Sequence, residues 1–556
     1  MPVLRFPVEM LLKATGMSSV EEIRDALFRL KCETDILDTG EIEVEVNPDR
    51  PDMYSLEGIA RAVRGITRLE RSWQQPETRP SGLKLIVDNV PSRPYVVAAV
   101  VWNVNISGED DLRQLIQFQE KLHDTIGRRR RKAAIGFHDL DKLPSRIIKY
   151  TSMPVETTKF VPLGSAEPIS AARVLEETEQ GRIYGRISLR GGEHPFLVAG
   201  SEIIAMPPVI NSEITRLGPR TRNLFIDVTG TDFNTVKKVL DIIVSNLSER
   251  GAIIGTVEVD APYMKGETPL LEWKRVEISQ DSISRILGYE VTPSEAARLL
   301  EYMRHRASEI RGHRLVVDVP PFRADVIGEI DLVEDIAMAV GYDSLGPLYE
   351  RPVMRGSLLD STLLSRAVRR LSIGLGFTEV ASLTLTSPRL LEALGISGVR
   401  VENPVQLEYS VLRPSLAPGL IAVARENQHA EKPVKVFEIG SVVTEESGTI
   451  REEERLGMML MDSEVSIEML QAPLYAALRA LGAQPLARAG CALPYMIEGR
   501  CASLYLGGEY LGYVGEVSPE VLERLGIEYP VALAEVRLGV LLAWKSKTRS
   551  REWGYP

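Results

Sequence analysis

One short stretch near the middle of the chain must contain three kinds of local structure in succession. Residues 315–321 read Leu-Val-Val-Asp-Val-Pro-Pro, and apolar residues that alternate into a double proline predict a strand followed by a loop. After Gly328 the apolar residues Ile330, Val333, Ala337 and Val340 recur at three- and four-residue spacing, which predicts a helix. Any fold of the chain therefore has to place a strand, a rigid loop and a helix one after another here.

The predicted helix is also unusually acidic. Asp331, Glu334 and Asp335 stand at positions i, i+3 and i+4, so we expect their carboxylates to share one exposed side, and Asp325 in the preceding loop can turn towards the same point. Carboxylates gathered this closely repel each other unless a cation or a basic side chain compensates them. Oxygen ligands of this kind suit Mg²⁺. The residues leave two interpretations open, a magnesium site or a solvated acidic helix face with Asp331 favoured by the helix dipole.

Length and composition limit the class of protein. A chain of 556 residues predicts three or four domains, and 44% hydrophobic with 26% charged residues is typical of a globular protein with real cores. The sequence has neither a run of 18 apolar residues nor a signal-peptide pattern at its N-terminus, which predicts a cytoplasmic chain that does not enter a membrane. A net charge of -11 argues against a dedicated nucleic-acid binder but permits RNA contact through a local basic patch.

The three cysteines give little functional signal. Cys32, Cys491 and Cys501 show no CxxC spacing, so the sequence suggests neither a zinc site nor a disulfide framework. We therefore expect all three to be small buried hydrophobic residues.

The order of predicted elements gives an α+β, multidomain fold with four parts. The parts are an N-terminal α+β domain (residues 1–82), a second α+β domain (83–270), a winged-helix-like domain with the acidic helix (271–347) and a mostly antiparallel sheet with helices on one side (348–556). Residues 73–82, with their prolines, are predicted to be a linker.

Two motifs in the second part each have a structural and a functional interpretation. Residues 224–232 predict a strand with Asp227 and Thr229 on one face, and together with Met206-Pro-Pro they indicate either ordinary strand ends and turns or a rigid pocket. The run Arg128-Arg-Arg-Arg-Lys132 follows a predicted helix at residues 111–126. It is either a solvated helix end that complements the helix dipole or an RNA contact.

Six motifs occur in an order that resembles the phenylalanyl-tRNA synthetase beta subunits over nearly the whole chain. They are Asn47-Pro-Asp-Arg-Pro-Asp-Met-Tyr-Ser-Leu-Glu-Gly-Ile-Ala-Arg61, Ala134-Ile-Gly-Phe-His-Asp-Leu-Asp141, Met206-Pro-Pro-Val-Ile-Asn-Ser212, Pro320-Pro-Phe-Arg-Ala-Asp325, Asp331-Leu-Val-Glu-Asp-Ile-Ala337 and Leu412-Arg-Pro-Ser-Leu-Ala-Pro-Gly-Leu420. The bacterial form of this family is longer, because it carries an inserted oligonucleotide-binding fold and a C-terminal RNA-binding domain. The chain is similar to the short archaeal and eukaryotic cytosolic form.

The resemblance implies an α2β2 ligase that joins phenylalanine to tRNA(Phe) with ATP and has its aminoacylation site on the alpha subunit. It also implies that Asp325, Asp331, Glu334 and Asp335 bind Mg²⁺ in a site shared with that subunit. In the last part, Arg425-Glu426, His429 and Phe437-Glu438 resemble one ATP-binding motif of class II synthetases only loosely. Gly507-Gly-Glu-Tyr-Leu-Gly512 is followed by no suitable arginine, so we expect a catalytic-like domain without aminoacylation activity.

The resemblance further implies that the second part edits mischarged Tyr-tRNA(Phe) by hydrolysis. A pocket shaped for phenylalanine cannot strongly reject tyrosine, which only adds a hydroxyl, so a second site is useful. The resemblance places Ala205, Asn211, Asp227 and Thr229 in that pocket, with Ala205 where related chains often have serine. No Ser-His or Cys-His arrangement is evident, so hydrolysis would use a positioned water and the tRNA itself.

Two histidines of this part, His138 and His194, are interpreted as structural, because a lone histidine is a weak signal.

Two other classes of function remain as alternatives to the subunit interpretation. One is a free-standing hydrolase of mischarged tRNA, which would have no need of the catalytic-like last domain. The other is an RNA-binding scaffold, which the net charge of -11 and the lack of interleaved aromatic and basic residues disfavour.

Overall fold

The computed structural model describes residues 2–104, 106, 108–346 and 356–547. The chain divides into two compact units, residues 1–350 and 351–556, each with mixed helices and strands. The finer division of the first unit into three domains stays a prediction. Its predicted last boundary, between residues 347 and 348, lies outside the described residues.

The strands of the first unit run in chain order as follows: β1 (Val3–Pro7), β2 (Glu33–Ile36), β3 (Glu41–Glu45), β4 (Thr78–Val87), β5 (Tyr95–Trp102), β6 (Ala133–Asp139), β7 (Ile147–Pro154), β8 (Lys159–Phe160), β9 (Ile169–Ser170), β10 (Glu193–Ala199), β11 (Glu202–Met206), β12 (Ile210–Asn211), β13 (Leu224–Gly230), β14 (Ile253–Ala261), β15 (Met264–Thr268), β16 (Lys274–Ser279), β17 (Arg306–Arg311) and β18 (Arg314–Val319). Its helices are α1 (Val8–Thr15), α2 (Val20–Arg29), α3 (Leu56–Ile66), α4 (Glu109–Asp124), α5 (Ala171–Glu177), α6 (Glu179–Tyr184), α7 (Phe233–Ser248), α8 (Gln280–Leu287), α9 (Pro293–Tyr302) and α10 (Glu329–Val340).

Side-chain caps fix where the predicted helices begin. The Ser19 hydroxyl accepts a hydrogen bond from the Glu22 amide at the start of α2, and the Asp232 carboxylate accepts one from the Thr235 amide at the start of α7. Such caps satisfy amides that the first turn of a helix leaves without partners. The predicted helix at residues 111–126 agrees with α4 within two residues at each end.

The largest sheet of the first unit curls until its two edges meet. Its strand order is β12-β11-β10-β7-β4-β14-β5-β13-β6, with β15 paired to β14. The Asn211 amide on edge strand β12 donates a hydrogen bond, 3.1 Å long, to the Phe137 carbonyl on the opposite edge strand β6. A cleft lies where these edges approach each other, and this cleft is the candidate functional site.

One hydrophobic core spans most of the sequence of the first unit, beside smaller cores that include Phe225 and Phe196. It extends in sequence from Leu4 to Ala339 and includes one face of β5, β6 and β13. Trp73 is 2% exposed and packs against Trp273 and Phe322, with ring centroids 5.7 and 5.3 Å away. The prediction of a linker at residues 73–82 is therefore wrong, because the segment begins in the core and continues into β4.

The third predicted part combines helices with a small sheet. Helices α8, α9 and α10 accompany an antiparallel sheet of order β16-β18-β17. Strand β18 corresponds to the predicted strand at residues 315–319, and α10 begins directly after Gly328, as the change of periodicity predicts.

The second unit is built on a long antiparallel sheet. Its elements are α11 (Asp360–Gly374), β19 (Thr378–Glu379), β20 (Leu385–Thr386), α12 (Pro388–Ala393), β21 (Val411–Leu412), α13 (Ala417–Glu426), β22 (Val434–Glu446), β23 (Thr449–Met461), α14 (Ile467–Ala480), β24 (Leu486–Ala489), β25 (Met496–Leu506), β26 (Glu509–Val517), α15 (Pro519–Arg524), β27 (Val531–Arg537) and α16 (Leu538–Lys547). The sheet order is β19-β22-β23-β27-β26-β25-β24.

Helices cover both faces of this sheet. On one face Met458 and Ala534 share a core with residues of α11, α14 and α16, while on the other face Met459 and Leu533 share a core with α13. The prediction of helices on one side is wrong, because adjacent strand residues are apolar in both directions and both faces need cover.

Two of the three cysteines differ from the prediction. Cys32 is buried and free, as expected, whereas Cys491 and Cys501 form a disulfide with their Cα atoms 5.7 Å apart. Only three-dimensional proximity reveals this pair, since its spacing matches no recognisable motif. Among the described residues, no helix has the length and apolar character needed to span a bilayer.

Candidate functional site

A cavity of about 500 Å³ lies where β6, β13 and the turn between β11 and β12 meet. Asn211, Asp227 and Thr229 line it, so the structure brings together three of the four residues predicted for a pocket. Ala205 does not line it. Its side chain is 2% exposed and belongs to the hydrophobic core on that face of the sheet, together with Phe225.

Asp227 is held from behind by a buried histidine. Its carboxylate Oδ1 lies 2.9 Å from His138 Nε2, and His138 Nδ1 lies 2.7 Å from the Thr215 hydroxyl. His138 is 0% and Asp227 1% exposed. With Nε2 protonated, the imidazole donates to Asp227 and accepts from Thr215, which satisfies both ring nitrogens. The histidine is thus a partner of the pocket carboxylate and does not itself line the cavity.

Strand pairing explains this arrangement. Asp227 lies opposite Gly136 in the neighbouring strand β6, and His138 lies two residues further along the same face. A side chain at Gly136 would collide with the Asp227 carboxylate and with His138 Nε2. The absence of a side chain at position 136 therefore makes the contact between Asp227 and His138 possible.

Thr229 is fixed by a buried arginine. Arg93 donates from Nε to the Thr229 hydroxyl over 2.9 Å and from a terminal nitrogen to the Thr229 carbonyl over 2.6 Å. Burial lowers the pKa of the Arg93 guanidinium to about 10, while the nearby Tyr150 and Asp227 oppose that shift. The guanidinium thus remains a cation at neutral pH and places positive charge behind the polar wall of the cavity.

The opposite wall is the turn that contains Pro207 and Pro208, joined by a cis peptide bond. The Arg130 guanidinium donates to the Pro208 and Val209 carbonyls, each over 3.2 Å, and to the Glu120 carboxylate over 2.8 Å. Burial raises the pKa of Glu120, but hydrogen bonds and charge from His123 and Arg130 outweigh it and hold that pKa below its ordinary value. Arg130 thereby ties α4 to the diproline turn.

The remaining lining is largely apolar. It includes Leu112, Ile116, Phe137, Val209 and Leu217. An apolar pocket with a few fixed polar groups is the usual form of a site for a small organic group. The volume of this cavity lies in the usual range for such a site.

The four carboxylates of the predicted metal site do not converge. Asp325 is bound by Arg323, whose guanidinium also reaches Asp335, and Asp335 lies 2.6 Å from His305 Nε2. Asp335 is 1% exposed, so the expectation that it shares an exposed helix side is wrong. Burial alone would raise the pKa of Asp335, but Arg323 and His305 hold it well below its ordinary value.

The other two carboxylates have separate partners. Asp331 accepts from the backbone amides of Ile327 and Gly328, at 2.7 and 2.8 Å, and Glu334 pairs with Lys31 at 2.9 Å. Within the described ranges, no group of three or more His, Cys, Asp or Glu side chains is arranged to hold a metal ion. Basic side chains and backbone amides, rather than an ion held by this chain alone, compensate the acidic charge here.

The second unit contains a separate cavity of about 420 Å³ on the face that carries α13. Arg455, Arg537 and Glu535 line it. Arg455 is paired with Glu535 and Glu453, and Arg537 with Glu453. Arg425 and Glu426 end helix α13 instead of lying on a strand, and Gly507 and Gly508 form the turn between β25 and β26. This cavity therefore lacks the arrangement expected of an ATP site.

Several residues that line or support the first cavity were not identified from the sequence. Gly136 and His138 stand inside a quoted motif, but only strand register shows that they support Asp227. Arg93 is separated from Thr229 by 136 residues, so no local pattern could indicate the contact. Of these residues, Arg130 is marked by a sequence pattern, since it belongs to the basic run at residues 128–132.

Comparisons with known proteins place these features among aminoacyl-tRNA synthetases. Residues 276–342 match the tRNA synthetase B5 domain, and residues 348–538 match the phenylalanyl tRNA synthetase beta chain CLM domain. The B5 match covers the part with the acidic helix, and the other match covers nearly all of the described second unit.

Whole-chain relatives define the family. The phenylalanine–tRNA ligase beta subunit of Aeropyrum pernix is 52% identical over 99% of this chain and 100% of its own length. That of Sulfurisphaera tokodaii is 41% identical over 94% of this chain and 96% of its own length. The chain belongs to the family of phenylalanine–tRNA ligase beta subunits. The prediction of an aminoacyl-tRNA synthetase subunit, a ligase component of protein biosynthesis, is confirmed.

A solved structure is similar to a large part of the chain. The crystal structure of an N-terminal fragment of the phenylalanyl-tRNA synthetase beta-subunit from Pyrococcus horikoshii is similar to 61% of this chain, over 99% of the fragment. The TM-score is 0.58 and the sequence identity 36%. This likeness confirms the mixed, multidomain architecture at a coarse level.

Proposed function

We propose that this chain, as the beta subunit of a phenylalanine–tRNA ligase, hydrolyses tRNA(Phe) that has been mischarged with tyrosine. The observation that carries the proposal is the first cavity, where Asp227 and Thr229 stand in an otherwise mostly apolar lining. A tyrosine ring fits the apolar part, and its hydroxyl can donate to the Asp227 carboxylate. Phenylalanine lacks that donor and would leave the buried carboxylate without this partner, which disfavours its entry.

In this proposal the residues of the cavity orient the substrate, and water is the nucleophile. Among the described residues, no serine, cysteine or histidine lines the cavity. A water oxygen would add to the ester carbonyl, the bond to the ribose oxygen would break, and that oxygen would leave with a proton. The products are free tyrosine and intact tRNA. Asn211, Asp227 and Thr229 contribute by holding the side chain so that the ester meets this water.

The rest of the reaction belongs to the assembled enzyme in this proposal. The chain would join an alpha subunit as an α2β2 tetramer, bind tRNA(Phe), and leave ATP-dependent aminoacylation to the alpha subunit. The second unit supports this division, because Arg455 and Arg537 in its cavity are already paired with carboxylates.

We also propose that Asp325, Asp331, Glu334 and Asp335 take part in a magnesium site completed by the alpha subunit. In this chain alone the four carboxylates do not fit around one ion, since Arg323 occupies Asp325 and Asp335. Asp331 and Glu334 are therefore the ligands that a partner subunit could most readily share. No step of the hydrolysis is assigned to the ion.

The test is Tyr-tRNA(Phe) hydrolysis by the chain with its alpha subunit, with Asp227→Ala as the variant. Losing the hydrogen bond from the tyrosine hydroxyl should lower kcat/KM by roughly 100-fold, a typical value for a charged hydrogen bond. Phe-tRNA formation by the same preparation should not change. Unchanged Tyr-tRNA hydrolysis in the variant would refute the site. Hydrolysis by the chain alone, with no Phe-tRNA formed in the mixture, would favour a free-standing hydrolase.

A further inference from the structure

The turn after α4 has a rare backbone conformation. Arg128, Arg129 and Arg130 have φ values of 50°, 52° and 61°, all in the left-handed region. A residue with a side chain adopts this region at a cost of about 1–2 kcal/mol, and three in succession are unusual. We call residues 127–132 the arginine turn.

The arginine turn is held by its surroundings. The Arg130 amide donates to the His123 carbonyl over 3.2 Å, and the Lys132 amide donates to the Gly127 carbonyl over 2.8 Å. The buried Arg93, which also fixes Thr229, donates to the Arg130 carbonyl over 3.0 Å. The backbone that presents these arginines is therefore preset by the same residue that positions the cavity wall.

One arginine of the turn points inward. Arg130 lines the cavity, is bonded to the diproline turn and to Glu120, and lies over the Tyr184 ring at 4.2 Å. Its charge is already neutralised by a carboxylate. It marks the arginine turn as part of the cavity rim.

Arg128, Arg129 and Arg131 are exposed. None of them pairs with a carboxylate of the described residues, whereas some other exposed arginines of this unit do, for example Arg113 with Glu41 and Arg173 with Glu177. On a chain with a net charge of -11, the three exposed arginines of the arginine turn are thus a local concentration of positive charge, while Arg130 and Lys132 of the same turn are paired with Glu120 and Asp232. The interpretation as a solvated helix end does not explain why the backbone is fixed in a costly conformation beside a cavity.

We propose that the arginine turn binds the phosphate groups of the single-stranded 3′ end of the mischarged tRNA and so guides the aminoacyl ester into the cavity. This inference rests on the editing function proposed above. An ester at the end of an RNA strand brings its last phosphates to the rim of any pocket that receives it. Guanidinium groups match phosphate geometry, and a preset backbone lowers the ordering cost of binding.

The test removes the three exposed charges and keeps the backbone. In the enzyme assembled with its alpha subunit, Arg128→Asn, Arg129→Asn and Arg131→Gln are combined, because asparagine tolerates the left-handed region. The KM for Tyr-tRNA(Phe) hydrolysis should rise about tenfold near 0.1 M salt while kcat stays the same. The slope of log(kcat/KM) against log[salt] should become shallower by about 2, as expected for three lost phosphate contacts on a single strand.

A short substrate separates phosphate binding from the integrity of the cavity. Tyrosyl-adenosine, the 3′ ester without phosphates, should be hydrolysed equally by the triple variant and the wild type. The control is a variant with Lys13, Lys238 and Arg285 each replaced by Gln. These residues are exposed, form no ion pair among the described residues and lie outside the arginine turn, and the control should match the wild type throughout.

The outcomes distinguish this inference from the function on which it rests. If the wild type hydrolyses Tyr-tRNA(Phe) and the triple variant keeps its KM and salt slope, the arginine turn does not bind the RNA, and the editing function stands. If the triple variant also loses hydrolysis of tyrosyl-adenosine, the arginines support the cavity itself, and the phosphate contact is refuted. If the wild type hydrolyses neither substrate, the editing function fails and this inference fails with it.

Discussion

Gly136, which lines the cavity, leaves the space that the Asp227 carboxylate occupies. A methyl group at this position would collide with the carboxylate and with His138 Nε2. We expect Gly136→Ala to displace Asp227 and to lower Tyr-tRNA(Phe) hydrolysis by about 10- to 100-fold, since small misplacements of a positioning group have effects of this size. Single-turnover hydrolysis assays check this, with Phe-tRNA formation as the internal reference.

The matched control for that variant is Gly374→Ala at the end of α11. An added Cβ at Gly374 meets no atom within 4 Å. It should leave both activities unchanged and slightly raise stability, because alanine favours a helix more than glycine does. Equal loss of hydrolysis in the two variants would show that the effect of Gly136→Ala has nothing to do with Asp227.

Asp331 stabilises a whole helix, because its carboxylate caps the N-terminal end of α10. Its carboxylate accepts hydrogen bonds from the amides of Ile327 and Gly328. We expect Asp331→Ala to lower the free energy of unfolding by about 1 kcal/mol, the usual effect of losing such a cap. Asp331→Asn keeps an acceptor oxygen and should recover most of that loss in urea unfolding experiments.

The same pair of variants addresses the proposed magnesium site. If Asp331 is a ligand in the assembled enzyme, both variants should weaken Mg²⁺ binding measured by calorimetry, since the neutral amide is a poor ligand for a hard cation. A loss of stability in Asp331→Ala without any change of Mg²⁺ affinity in either variant would leave only the capping role.

Elements with strong periodicity were predictable from the sequence, and contacts between distant segments were not. The strand β18 and helix α10 follow from alternation, a double proline and a three- and four-residue repeat. The partners of Asp335 did not follow, because Arg323 and His305 reach it only when β17 and the loop before α10 fold together. The burial of Trp73 was not predicted for a similar reason. Nearby prolines are typical of loops, whereas burial depends on tertiary packing.

The cavity was predictable in part. The faces of a strand alternate, so Asp227 and Thr229 were expected to stand together, and they do. Ala205 lies on β11, opposite Asn211 of the edge strand β12, but belongs to the core, and no local pattern separates these two environments. The position of Arg130 depends on the left-handed backbone of the arginine turn, which a run of arginines does not predict.

At the scale of the whole molecule, two buried groups give opposite dependences of stability on pH. Burial lowers the pKa of His194 to about 4 and raises the pKa of Asp241 to about 7. Between pH 4 and 6.5 the unfolded chain binds more protons at His194, so this residue makes stability rise with pH. Between pH 4 and 7 the folded chain binds more protons at Asp241, so this residue makes stability fall as pH rises.

Single variants should reveal these opposing contributions. We expect Asp241→Asn to make the free energy of unfolding rise more steeply from pH 4 to 7, and His194→Gln to make that rise less steep. Each change should amount to roughly 1–3 kcal/mol across the window. Urea unfolding of the first unit at several pH values measures both slopes.

The wild type provides the reference for these variants. Slopes that are the same for the wild type, Asp241→Asn and His194→Gln would mean that neither buried group contributes to the pH dependence.

The core that spans residues 4–339 has a consequence for how the protein is made. Leu4 and Ala339 belong to the same packed interior, so this core is complete only after about 340 residues have left the ribosome. At bacterial-like rates of synthesis this takes roughly 20–70 s. The earlier residues of this core therefore wait for α10, to which Ala339 belongs, before the interior is complete.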